Sequence, residues 1–200
     1  MQFLNSFMAI YKNKTFTEKE IRSMDFEGNT FRNCKFVDLD FHFVNFTKCI
    51  FKSCDFSGST FDITSFMECS FPESKLSYID FSGISIKNCD FTKAVIAGCV
   101  FHQLKSSKKN ERRKFDLKGC TFSSANLSGT VFAFCDLEGA SFAKSDLTGA
   151  IFEICNLEKA DFSEANISGT GFDTSTIKNT ILDVDGFLKY GNSKGFILKK

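Results

Sequence analysis

From Phe16 onward, every fifth residue of this 200-residue chain is phenylalanine, leucine or isoleucine. The series runs through eighteen positions to Phe101, breaks, and resumes one residue out of register at Leu117 for fourteen more, ending at Leu182. Neither regular structural period accommodates this spacing. On an α-helix five residues rotate about 140°, which scatters the apolar positions around the axis. On a flat strand an odd step alternates faces and turns half of the rings to water. A chain that keeps every fifth side chain inside must turn a corner once per repeat. Stacking such units gives an all-β solenoid whose backbone groups pair with the coils above and below.

A second inward position supports the same geometry. Two residues before each centre the chain places small groups, such as Cys34, Ser59, Thr64, Ala125 and Ala140, and all nine cysteines fall there. The remaining positions are mostly Asp, Asn, Ser, Thr, Lys and Gly, residues suited to turns and solvent. The 32 centres hold 20 of the 27 phenylalanines, so the repeat accounts for the aromatic excess.

The segments AspLeuThrGlyAla at 146–150 and AlaAsnLeuSerGly at 125–129 resemble the unit of the pentapeptide repeat family, and the resemblance runs over roughly residues 14–184. It implies a right-handed quadrilateral β-helix with four repeats to a coil and both the centre and the small residue inward. Residues 20 apart then stack on one face, and the eight coils make a rod of roughly 38 Å at about 4.8 Å per coil. In the second segment Phe alternates with Leu or Ile, so phenyl rings should occupy one opposed pair of faces and aliphatic groups the other. The expected organisation is an N-terminal cap at 1–13, a first helix segment at 14–101, an inserted basic loop at 102–116, a second segment at 117–184 and a C-terminal cap at 185–200.

The interruption is the main functional lead. Residues 102–116 carry Lys105, Lys108, Lys109, Arg112, Arg113 and Lys114 against two acidic groups, a net charge of +4, whereas residues 117–182 carry −4. These six cations are the candidate partner-binding residues, because polar loops on rigid scaffolds commonly carry binding. A solvated insertion tolerated at small free-energy cost is the alternative. A weak, salt-sensitive nucleic-acid contact through the same cations is a lesser one.

Other classes are disfavoured. With 25 basic and 24 acidic residues the chain lacks the strong field of a dedicated nucleic-acid binder. It has no phosphate-binding glycine loop, no HExxH and no GxSxG, and its two histidines, His42 and His102, follow repeat centres and should face outward. No catalytic, cofactor-binding or metal residue is assigned. Cys49, Cys69 and Cys89 should form a ladder of small buried groups rather than a zinc site. The columns Asp116, Asp136, Asn156 and Asn126, Asp146, Asn166 should serve turn backbone. No run approaches 18 apolar residues and the first residues lack a signal pattern, so the reading is a cytoplasmic protein with no membrane or small-molecule partner.

Within the family, quinolone-resistance proteins imitate duplex DNA and bind type II topoisomerases such as DNA gyrase, and projecting loops matter to that activity. The resemblance therefore implies two alternatives, a scaffold for an unidentified protein partner or a gyrase-binding DNA mimic. The near-neutral surface departs from mimicry. So does the tail, where Gly186, Gly191 and Gly195 argue against a dimerising helix and for a monomer. Its Phe187, Leu188, Phe196, Ile197 and Leu198 are read as a cap on the last coil. At the other end Phe3, Leu4, Phe7, Met8 and Tyr11 have helical spacing and predict a helical cap.

Overall fold

The computed structural model describes residues 6–102 and 114–199. They form a four-faced β-solenoid in which short parallel strands and single bridges pair one coil with the next at a register of 20. We name the faces by their inward centres. Face A runs through Phe26, Phe46, Phe66 and Ile86. Face B holds Tyr11, Phe31 and Phe51, and face C is bridged through Lys35, Asp55 and Lys75. Face D holds Phe41 and Phe61 and, higher up, Phe101, Phe132 and Phe152.

The corner that the sequence demands lies two residues after each centre. There the backbone turns into the left-handed region, as at Asn33 (φ 52°), Lys48 (φ 54°) and Gly149 (φ 66°). This conformation redirects the chain by one face and frees the next short segment to pair with the coil below.

Inside, the rings stack along each face and meet edge to face between faces. Phe31 lies 4.7 Å from Phe51 with ring planes 4° apart, and Phe31 meets Phe36 at 5.5 Å and 71°. Both arrangements suit the quadrupole of the phenyl ring. In the upper coils Phe122, Phe142 and Phe162 fill face B and Phe132, Phe152 and Phe172 fill face D. The opposed columns meet edge to face, for example Phe122 with Phe132 at 5.8 Å and 77°.

The small position does more than save space. Its thiols and hydroxyls donate to the carbonyl of a centre on the coil below. Cys69 Sγ reaches Phe46 O at 3.4 Å, Ser74 Oγ reaches Phe51 O at 2.6 Å, and Thr130 Oγ1 reaches Ile96 O at 2.7 Å. A buried carbonyl without a partner is costly, so Cys, Ser and Thr are functional alternatives to Ala here, a role the sequence reading of cysteine as mere filler omitted.

Three expectations are corrected. Residues 6–12 do not form a helical cap: strands Ser6–Phe7 and Ile10–Lys12 continue the spiral, pairing with Asp25–Glu27 and Thr30–Arg32, and Tyr11 stacks on Phe31 at 5.1 Å. Phe3 and Leu4 lie outside the described residues. The first coil is instead interrupted by a one-turn helix, α1 (Glu18–Ile21), closed by a capping box between Thr17 and Glu20. The Lys14 ammonium, 2.8 Å away, and the Thr17 donors lower the Glu20 carboxyl to about 2.

The tail forms a helix after all. α2 (Val184–Ser193) begins where Asp183 Oδ1 accepts Gly186 N at 2.7 Å, and Lys189 pairs with Asp185 at 2.7 Å. Local capping and an i,i+4 ion pair offset the weak propensity of its glycines. α2 rests on the last coil through Tyr190, 6.0 Å from Phe172, while Val184, Phe187 and Leu188 remain exposed.

The insertion is also shorter than 102–116. His102 pairs with Ala133, and Phe115 and Asp116 pair with Cys135 and Asp136. Ladder partners across it stand 31 positions apart, yet Phe101 stacks on Phe132 at 4.9 Å and 6° and Phe91 on Phe122 at 5.2 Å and 3°. The core is continuous through the break.

Candidate interaction surface

With the described centres from Phe16 to Phe172 all buried, chemistry is left to the three outward columns of each face. The carboxylate and amide columns serve the turns. Asp146 Oδ1 accepts Thr148 N at 3.1 Å, Asn126 Oδ1 accepts Ser128 N at 3.0 Å, and Asn166 Nδ2 donates back to Asp146 Oδ1 at 3.2 Å. On face A, Asn156 Nδ2 donates to Asp136 Oδ1 at 3.0 Å. Cations interleave with that column: Lys118 lies 3.3 Å from Asp136 and 3.5 Å from Glu138, Lys159 lies 3.3 Å from Glu138, and Lys178 lies 3.4 Å from Glu158. The negative charge of the second segment is thus largely paired where it is densest.

Of the six candidate cations, Lys105, Lys108, Lys109, Arg112 and Arg113 lie outside the described residues. Lys114 is described. It is half-buried at the corner between faces D and A, close enough for its charge to act on the Cys135 and Cys155 thiols.

All nine cysteines are free and buried. Burial pushes the thiols of Cys54, Cys99 and Cys120 up to about 12, and it pushes Cys69 and Cys135 up as well. These are neutral thiols held as hydrogen-bond donors, unsuited to nucleophilic work. Among the described residues no three His, Cys, Asp or Glu side chains gather to hold a metal ion.

His42 and His102 lie on face D and are half-buried. His42 Nδ1 sits 2.8 Å from Asp62 Oδ2, in an open groove also lined by Glu18, Arg22, Asp40 and Thr60. The His102 ring meets Phe134 edge to face at 5.8 Å.

Sequence reasoning missed one feature of this face. At the left-handed corner positions, where Gly, Asn, Ser or Lys are usual, face D carries Phe43 (φ 54°), Ile63 (φ 47°), Phe134 (φ 55°) and Ile154 (φ 53°). The signal was present in the repeat register as apolar residues two places after a centre.

A family model described as pentapeptide repeats matches eight copies over residues 25–62, 64–103 and 116–153. No curated protein matches the sequence. Among solved structures, a trypsin-treated form of QnrB1, a plasmid-mediated fluoroquinolone resistance protein, aligns with a TM-score of 0.59 at 17% identity, covering 98% of this chain and 100% of that one. HetL, a pentapeptide repeat protein involved in heterocyst differentiation regulation from the cyanobacterium Nostoc sp. strain PCC 7120, aligns at 14% identity and a TM-score of 0.32, covering 91% and 90%. Among the described residues no helix is long and apolar enough to cross a membrane.

Proposed function

The chain belongs to the pentapeptide repeat family, and on that footing we propose that it is a non-enzymatic scaffold whose rod holds outward side chains in fixed columns for a protein partner. One observation carries this reading. The coil stack passes through the insertion without losing ring contact, at 4.9 Å between Phe101 and Phe132, so a segment rich in cations is rooted on an undistorted base. A rigid base lowers the ordering cost of binding. The basic residues Lys105, Lys108, Lys109, Arg112, Arg113 and Lys114 are the proposed contacts to an acidic patch on that partner.

Affinity capture with the intact protein and with a deletion of residues 104–114 tests this. The deletion should lose the partner while keeping the far-UV circular dichroism of the solenoid. Retention of the same partner at equal yield would remove the segment from the contact.

A type II topoisomerase is the particular partner that the family resemblance suggests. The ion pairs of Lys118, Lys159 and Lys178 with the face A carboxylates reduce the free negative charge that imitation of duplex DNA requires, which keeps the general scaffold reading ahead. A supercoiling assay with added protein decides, since a gyrase-binding member changes supercoiling at micromolar levels and a scaffold for another partner does not.

A further inference from the structure

Charges one coil apart on this rod are commonly matched in sign. Lys48 pairs with Glu68 at 4.0 Å, Lys118 with Glu138 at 3.5 Å and Lys144 with Glu164 at 3.7 Å, each pair 20 residues apart. Where two acids do fall together, as at Glu138 and Glu158, Lys159 reaches both, at 3.3 and 3.8 Å. The lower part of face B departs from this pattern. Lys12, Arg32 and Lys52 occupy one outward column on three successive coils, in direct register, and all three are exposed. The columns on either side hold Ile10, Thr30 and Ile50, then Asn13, Asn33 and Ser53, with no acidic group on these coils. The amides do not temper the cations, since Asn33 Nδ2 donates to Asn13 Oδ1 at 3.3 Å. Like charges set directly opposite on neighbouring strands destabilise the pair, so this ladder disfavours the isolated rod and an anionic surface laid over it would relieve the repulsion.

The spacing of the ladder selects its occupant. We propose that Lys12, Arg32 and Lys52 dock an acidic amphipathic α-helix of a protein partner, laid along the rod axis. Coils repeat at about 4.8 Å, and an α-helix returns the same face about every 5.4 Å. Over the two intervals from Lys12 to Lys52 the mismatch is about 1.2 Å, which the long, flexible stems of lysine and arginine absorb. Acids at i, i+4 and i+7 of the helix therefore meet the three cations in turn. An extended strand places the carboxylates of one face about 6.8 Å apart and falls about 4 Å out of step over the same distance. Ile10 and Ile50, 62% and 43% exposed, stand two residues before Lys12 and Lys52 on the same coils and offer apolar contact to the helix side chains beside the acids. A single-stranded nucleic acid would need aromatic platforms for its bases, and the outward residues here are aliphatic, hydroxyl, amide and cationic.

The site is local. Upward the same column continues with Pro72, Thr92 and Ser123, so the basic run ends after Lys52. It also goes beyond the scaffold reading and stands apart from the insertion, because face B lies opposite face D, where the chain departs after His102. Failure of the loop contacts proposed above would leave this ladder untouched. A footprint of three coils lies at the small end of specific interfaces, which predicts micromolar affinity.

Fluorescence anisotropy with the full chain tests the proposal. The probe is a labelled, alanine-based helical peptide of about 20 residues with glutamates at i, i+4 and i+7 and leucines alongside. It should bind saturably at up to about 100 µM protein and more weakly as salt is raised. Arg32→Glu sets an acid between two cations, as elsewhere on the rod, and should weaken the peptide at least about tenfold while the melting temperature stays equal or rises. A ladder that served the rod alone would instead lose stability with this change. Ile10→Ser with Ile50→Ser should weaken binding several-fold through the lost apolar contact. No binding, or equal affinity of the Arg32→Glu variant, would overturn the proposal, the latter by placing the peptide elsewhere on the chain. So would equal affinity for a scrambled peptide of the same composition, or tighter binding of an oligonucleotide of equal charge. Self-association of the intact chain that Arg32→Glu abolishes would assign the ladder to a second copy and overturn it as well.

Discussion

Phe142 tests the packing most directly. It is fully buried in mid-rod and touches four rings: Phe122 and Phe162 stacked at 5.1 and 4.8 Å, Phe132 and Phe152 edge to face at 5.8 and 5.4 Å. Truncation to alanine removes apolar burial and leaves a cavity between coils that backbone ladders hold at fixed spacing, so Phe142→Ala should lose about 3 to 5 kcal/mol. Phe142→Leu keeps most of the volume but breaks all four ring pairs, each worth about 0.5 to 1.5 kcal/mol and not additive, so a loss of about 2 kcal/mol is expected. Phe172→Ala is the control. It sits on the last complete face D rung at 8% exposure, with ring partners Phe152, Phe162 and the helix residue Tyr190, and should cost roughly half as much as Phe142→Ala. Urea unfolding followed by far-UV circular dichroism gives the three values. A Phe142→Ala loss below about 1 kcal/mol, or equality of the mid-rod and end variants, would refute the stacked-core reasoning.

Further outcomes follow from the same geometry. Cys69→Ala strands the buried Phe46 carbonyl and should cost about 1 to 2 kcal/mol in the same titration, whereas Cys69→Ser keeps a donor and should cost less. Gly149→Ala meets nothing within 4 Å, so its loss of about 1 kcal/mol would measure the left-handed backbone alone, and Ile63→Gly should return up to about that amount. Folded Cys54, Cys99 and Cys120 keep their protons to about 12, while unfolded thiols titrate near 8.5. The unfolded chain therefore binds fewer protons above that pH, and stability that is complete below about pH 8.5 should fall steadily toward pH 12. Replacing the three with alanine should flatten that slope in melting scans.

Most of the fold was legible because its period belongs to no other architecture. The centres, the small positions and the 20-residue stacking follow from Phe16 to Leu182 read in steps of five. The misread parts are those where two patterns overlap. Phe3, Leu4, Phe7, Met8 and Tyr11 satisfy a helical spacing, but Tyr11 also stands five before Phe16, and ladder hydrogen bonds from the second coil decide in favour of the spiral. In the tail, propensity at Gly186 and Gly191 was outweighed by the Asp183 cap and the Tyr190 contact, neither of which propensity sees. The candidate surface was harder still. Charge drew attention to the insertion, whereas Phe43, Ile63, Phe134 and Ile154 become conspicuous only when the backbone reveals what conformation they are made to adopt.

Because the register stays at 20 on either side of the break, the solenoid works as a graduated scale. The separation of any two surface side chains is fixed by how many windings lie between them, whatever is spliced into a corner. Adding or deleting one whole winding should move the two ends apart or together by a constant step and leave what each presents unaltered, which makes length a heritable variable independent of the binding groups it spaces.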